Sequence, residues 1–160
     1  MKFLYVTLLF LNMFHQAALA STEEEKVTQQ ALMQVQIDRI KNVSGQLHYQ
    51  LFACPDDDMH GWNELTLLSQ GQVAITDNTV DLPLAAVASS EVIFRAYQDL
   101  NNNGQLDYAS NGVPKEPTAF ANNPNLMLGM PKPLDACVNW QNISTVKVKM
   151  NNKRQRRKRD

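Results

Sequence analysis

The sequence has few of the residues and spacings that carry covalent chemistry. Its 160 residues contain no G-x-S-x-G, no H-E-x-x-H and no glycine-rich phosphate loop. Beyond the first twenty residues the histidines are His48 and His60, so a general base has little choice of side chain. Carboxylates are numerous, but no pair is set apart for acid–base work. A hydrolase would need His48 or His60 beside a nucleophile, and Cys54 would serve only as a reduced, activated thiolate. The composition therefore reads as a non-enzymatic protein.

Long apolar runs are also scarce. The one candidate is the start, "MKFLYVTLLFLNMFHQAALAS", with Lys2 before an apolar stretch and Ala18-Leu19-Ala20 as an A-x-A cleavage site. This is the pattern of a secretory signal peptide, and the run falls short of the roughly 20 residues that span a bilayer. Residues 1–20 are read as removed on export, to the periplasm or the exterior.

Cations are sparse in the body. From Ser21 to Asn152 there are 8 Lys+Arg against 15 Asp+Glu, 8 − 15 = −7, while "KRQRRKRD" (153–160) holds six cations and one acid. Such a tail suits weak attraction to a polyanion or a membrane surface. Export and the lack of interleaved aromatics argue against nucleic acid.

Two cysteines remain, Cys54 and Cys137. In an exported chain an even count reads first as a disulfide, with separate buried thiols as the alternative.

What is present is period-two alternation. Residues 21–30 are polar and read as a flexible N-terminus. After them "LMQVQIDRI" places Met33, Val35 and Ile37 on one face. "GQLHYQLFAC" places Leu47, Tyr49 and Leu51 on one face and His48 and Gln50 toward solvent. Asn42–Gly45 between them is turn chemistry and predicts a hairpin. "GQVAITDN" and "TVDLPLAAV" read as strands about an Asp77-Asn78 turn. "SSEVIFRAYQD" is the strongest strand, and "DACVNW" and "STVKVKM" close the chain. Many short strands without a convincing helix predict an all-β fold over 31–150, a single antiparallel β-sandwich, with an open barrel as the alternative. Residues 99–133 read as one long loop region, which is uncommon unless something holds it. Residues 151–160 read as a disordered basic tail.

That region opens with "DLNNNGQLD". Asp99, Asn101 and Asn103 stand at positions 1, 3 and 5 of a calcium-loop pattern, Gly104 at 6, Gln105 at 7 with its carbonyl, and Asp107 at 9. Alternate side chains can thus surround a cation that takes roughly six to eight oxygens. Position 12 is Ser110 rather than a bidentate Glu, and a strand precedes the loop, so this is no EF-hand. Glu116 is the nearest carboxylate that could fold back to complete the shell. Few charged ligands imply weak calcium binding, on the order of 10⁻⁴–10⁻³ M. The same residues also build ion-free Asx turns. A second cluster, Asp56, Asp57, Asp58 and His60, reads as a solvated acidic loop, since consecutive aspartates cannot face one ion.

"YQDLNNNGQLDYASNGVPKEPTAFANN" followed by "GMPKPLDACVNW" resembles a family of small exported bacterial proteins known only as a domain of unknown function. Its pattern is D-x-N-x-N-G-x-x-D, then G-[IV]-P-K-E-P; here Thr118-Ala119 stands where Tyr-Gly is usual. The resemblance implies a prealbumin-like or immunoglobulin-like β-sandwich, export and no assigned activity. The leading expectation is an exported domain with a structural calcium loop. A metal-free carrier or adhesion module is the alternative.

Overall fold

The computed structural model describes residues 32–151, apart from 111, 128 and 142. The expected signal peptide, the flexible 21–30 segment and the basic tail from 152 onward lie outside the described residues.

Eight strands form: β1 Leu32–Asp38, β2 Gln46–Ala53, β3 Leu67–Ala74, β4 Val80–Ala85, β5 Glu91–Asp99, β6 Thr118–Phe120, β7 Cys137–Asn139 and β8 Thr145–Lys149. One sheet has the order β4-β1-β8. The other has the order β3-β2-β5-β6, with β7 also paired to β5. The protein is an all-β sandwich, and the sheets do not close into a barrel. It is not wholly antiparallel, however, because β1 and β8 pair in parallel from Gln34↔Thr145 to Asp38↔Lys149.

The alternating faces meet between the sheets. Met33, Val35 and Ile37 of β1 pack with Leu47 and Leu51 of β2, Leu82 and Leu84 of β4, Val92 and Phe94 of β5, and Val146 and Val148 of β8. In β4 every second residue is buried. Pro83 is tolerated there because β4 is an edge strand and needs no N–H on its open side. Full burial of an aliphatic or aromatic side chain contributes about 1.5–3 kcal/mol, so this layer supplies most of the drive to fold.

The predicted β1–β2 hairpin does not form. The two strands lie in different sheets, and residues 39–45 carry the chain across. Ile40 is buried there, and the fully buried Gln98 donates to the carbonyls of Asn42 and Ser44 at 2.7 Å each. Gly45 is left-handed at φ +74°, and a Cβ on it would sit 2.1 Å from the Asp99 carbonyl oxygen. Only glycine fits at that approach. The Asp77-Asn78 turn likewise crosses between sheets, from β3 to β4.

β5 is buried on both faces, with Val92, Ile93 and Phe94 all inaccessible. Its outer face carries a second apolar cluster of Phe52, Ile93, Phe120 and Ala136, joined by Trp62, Leu65, Leu126 and Met130. The Arg95 guanidinium lies 4.9 Å from the ring centres of both Phe52 and Trp62, and its Nε donates to Gln50 Oε1 at 2.7 Å. Cys54 and Cys137 are joined as a disulfide across this cluster. Cys54 is therefore no thiolate. The region 99–133 is not one continuous loop, since β6 lies inside it and pairs with Arg95–Tyr97 of β5. Thr118, Ala119 and Phe120 are buried.

Candidate functional site

The end of β5 delivers Asp99 to one end of the sandwich, where residues 39–45 and 75–79 also turn. Its carboxylate is 1% exposed. Oδ1 accepts the Asn103 N–H at 3.3 Å and Oδ2 accepts the Gly104 N–H at 2.7 Å. The chain wraps the carboxylate because Asn102 (φ +58°) and Gly104 (φ +75°) are both left-handed, a conformation that Asn and Gly tolerate best. Two Asx turns follow in series. Asn101 Oδ1 accepts the Asn103 N–H at 3.1 Å, and Asn103 Oδ1 accepts the Gln105 N–H at 2.8 Å.

The amides of Asn101 and Asn103 converge. Their Nδ2 groups donate to the same oxygen, Asp107 Oδ2, at 2.7 and 3.2 Å. The side chains at positions 3, 5 and 9 are thus linked to one another, while Asp99 at position 1 holds the loop backbone. Gln105 lies on the rim, with its N–H committed to Asn103.

Glu116 folds back, as expected from the sequence, but into a different task. It is buried, and its two oxygens accept backbone N–H groups from both ends of the loop. Leu100 donates to Oε1 at 2.9 Å and Asp107 to Oε2 at 3.2 Å. A carboxylate that accepts two backbone bonds clasps the nine-residue loop shut. The Lys115 N–H also bonds the Asp107 carbonyl at 2.8 Å, and the Tyr97 hydroxyl donates to the Gly104 carbonyl at 3.0 Å. Burial, followed by repulsion from Asp99 and Glu116, raises the Tyr97 phenol above its ordinary pKa.

His48 departs from the solvent-facing position expected of it. It is half-buried and stacked on Tyr97, with ring centres 4.9 Å apart and planes 9° from parallel. Its Nε2 lies 3.6 Å from Asp99 Oδ2. Alternation along β2 could not reveal this, because the covering ring belongs to β5 through the pairing His48↔Tyr97.

The acidic segment after Cys54 behaves as a surface loop. His60 Nδ1 contacts Asp57 Oδ1 at 2.9 Å, and Asp58 is paired with Lys132. The Met59 N–H, then His60, hold the Asp57 carboxyl below the usual range. Among the described residues no three His, Cys, Asp or Glu side chains are grouped so as to hold a metal ion; any cation at 99–107 would depend on amide and carbonyl oxygens.

An ionised carboxylate offers about four acceptor positions. Two bonds each therefore leave Asp99, Asp107 and Glu116 with capacity for another positive partner. The Asn amides would have to turn to present Oδ1 to the ion, giving up both their Asx-turn bonds and their bonds to Asp107, at a net cost of about 1 kcal/mol per bond. The donor set is oxygen-rich and fits a hard cation better than a transition metal.

Among the described residues no helix is long and apolar enough to cross a membrane. No curated protein and no solved structure matches the chain. A family model does match, from Val35 within β1 to Val148 within β8, and this span takes in both sheets and the whole clasped loop. The chain belongs to the family described as "Uncharacterized protein conserved in bacteria (DUF2141)".

Proposed function

We propose that the protein is an exported, non-enzymatic β-sandwich domain whose 99–107 loop takes up a calcium ion weakly and is stiffened by it. The observation that supports this reading is that Asn101 and Asn103 gather their side-chain amides at one Asp107 oxygen while the buried Asp99 carboxylate holds the Asn103 and Gly104 N–H groups of the same loop. Asp99, Asn101, Asn103 and Asp107 are the side-chain ligands, Gln105 supplies its carbonyl, and Glu116 braces the shell from beneath. The disulfide and the N-terminal sequence support export. The role is structural, since two carboxylates among neutral oxygens make a low-affinity site.

The test is thermal melting with calcium, comparing the wild type with Asp99→Ala. With a dissociation constant on the order of 1 mM, about 10 mM calcium adds about 1.4 kcal/mol, a rise of several degrees for a domain this size. The variant should show no rise. A wild-type melting point that ignores millimolar calcium refutes the site.

A further inference from the structure

Beside the clasped loop lies a cleft of about 690 Å³. Its volume falls within the range of about 300–1,000 Å³ typical of small-molecule sites. One wall is apolar and adaptable, formed by Leu126, Met127 and Met130 over Phe120. Met127 is 84% exposed, which is unusual for so large an apolar side chain and leaves its thioether arm to cover a ligand.

The lining also includes cations. Arg39 and Lys41 line the cleft, and Lys149 joins Arg39 on a smaller adjoining hollow that shares Phe120 and Leu126. Seven lysines and arginines are described, and three of them gather here. Lys132 is paired with Asp58 elsewhere and Arg95 is stacked between rings, whereas Arg39 remains exposed in the cleft with its Nε 3.8 Å from Asp38 Oδ1. Among the described lining residues Glu116 is the single carboxylate, and both its oxygens already accept backbone N–H groups. Asn151 lines both hollows. On a body with a net charge of −7 this is a local reversal of sign.

An apolar wall with a basic rim is complementary to one kind of small molecule. We propose that the cleft binds a single-chain amphiphile with an anionic headgroup, its chain along Leu126, Met127 and Met130 and its headgroup between Arg39 and Lys41. The site goes beyond the calcium reading and does not depend on it.

The experiment is calorimetric titration of the purified protein with dodecanoate below its micelle concentration, in calcium-free buffer containing EDTA. Working without calcium separates this result from the loop's own. The expected result is one saturable site. Arg39→Gln/Lys41→Gln should weaken it roughly tenfold, the loss of two exposed ion pairs of modest strength. Met127→Glu should weaken it too, while acetate should not bind. All three positions can be changed without touching the sandwich core, so unchanged melting curves will show that the variants fold. The proposal is overturned if dodecanoate gives no saturable heat. It is overturned equally if the double variant binds as the wild type does, or if a nonionic dodecyl detergent binds as well. Attachment to phosphatidylglycerol vesicles without dodecanoate binding would also overturn it, in favour of a membrane surface.

Discussion

Two neighbouring stretches of irregular chain are held in opposite ways. Residues 99–116 are held by polar bonds: three carboxylates and two amides close the 99–107 loop, and backbone bonds such as Ala109 to Val113 and Lys115 to Asp107 hold the rest. Residues 121–137 are held by burial and a covalent bond. Leu126, Met130 and Ala136 pack on Phe52, Phe120 and Trp62, the Trp62 indole donates to the Pro131 carbonyl at 2.8 Å, and Cys137 is bonded to Cys54. The difference teaches where each stretch is vulnerable. Polar networks respond to charge, protonation and ions, because a buried polar group without a partner is costly. An apolar lobe closed by a disulfide responds to reduction and to loss of volume.

The largest effect should come from cutting the covalent bond. Cys54→Ser/Cys137→Ser removes a link between residues 83 apart, worth on the order of 4 kcal/mol by the loop-entropy estimate. Limited proteolysis should then cut 121–137 before 99–116, with the calcium response of the loop retained. Loss of that response in the double variant would show that the two stretches form one unit.

Next comes the clasp. Glu116→Ala leaves the N–H groups of Leu100 and Asp107 without their acceptor, at a cost of about 2 kcal/mol. Urea unfolding should show the loss, and proteolysis should reverse its order, cutting 99–107 first. Glu116→Gln keeps one carbonyl acceptor and should lose about half as much. Equal damage from both variants would mean that the charge, rather than the two bonds, matters.

The smallest effect concerns pH. The Tyr97 phenol is raised by burial and by Asp99 and Glu116. A phenol whose folded pKa lies above its unfolded value of about 10 contributes stability below that value and loses it as pH rises through the folded one. Stability should therefore decline modestly on the alkaline side as the bond to the Gly104 carbonyl is lost. Tyr97→Phe should flatten that limb in pH-dependent melting. An unchanged limb would assign the decline to other groups.

Much of this architecture was legible in the sequence. Met33, Val35 and Ile37 point inward as their spacing predicts, and β5 forms where the strongest strand was read. The spacing of Asp99, Asn101, Asn103 and Asp107 marked the residues that shape the loop, with the Nδ2 groups of Asn101 and Asn103 turned toward Asp107. The pairing of the strands was not legible. Asn42–Gly45 has the chemistry of a hairpin turn, yet the approach of Gly45 to the Asp99 carbonyl steers it between sheets. β6 was hidden because three residues carry no measurable period. Glu116 was found as a nearby carboxylate, but its clasp depends on where Leu100 and Asp107 place their N–H groups.

The sequence by itself determined where most strands form, which of their faces are apolar and which loop is rich in oxygen-bearing side chains, because those properties follow from backbone geometry and composition over a few neighbouring residues. Only the tertiary structure decided that β1 and β2 part company, that β1 and β8 run in parallel, that His48 lies beneath Tyr97 and that basic residues distant in sequence share one rim. These are contacts between residues far apart along the chain. Their partners are chosen by which faces bury together, a selection that no local pattern encodes.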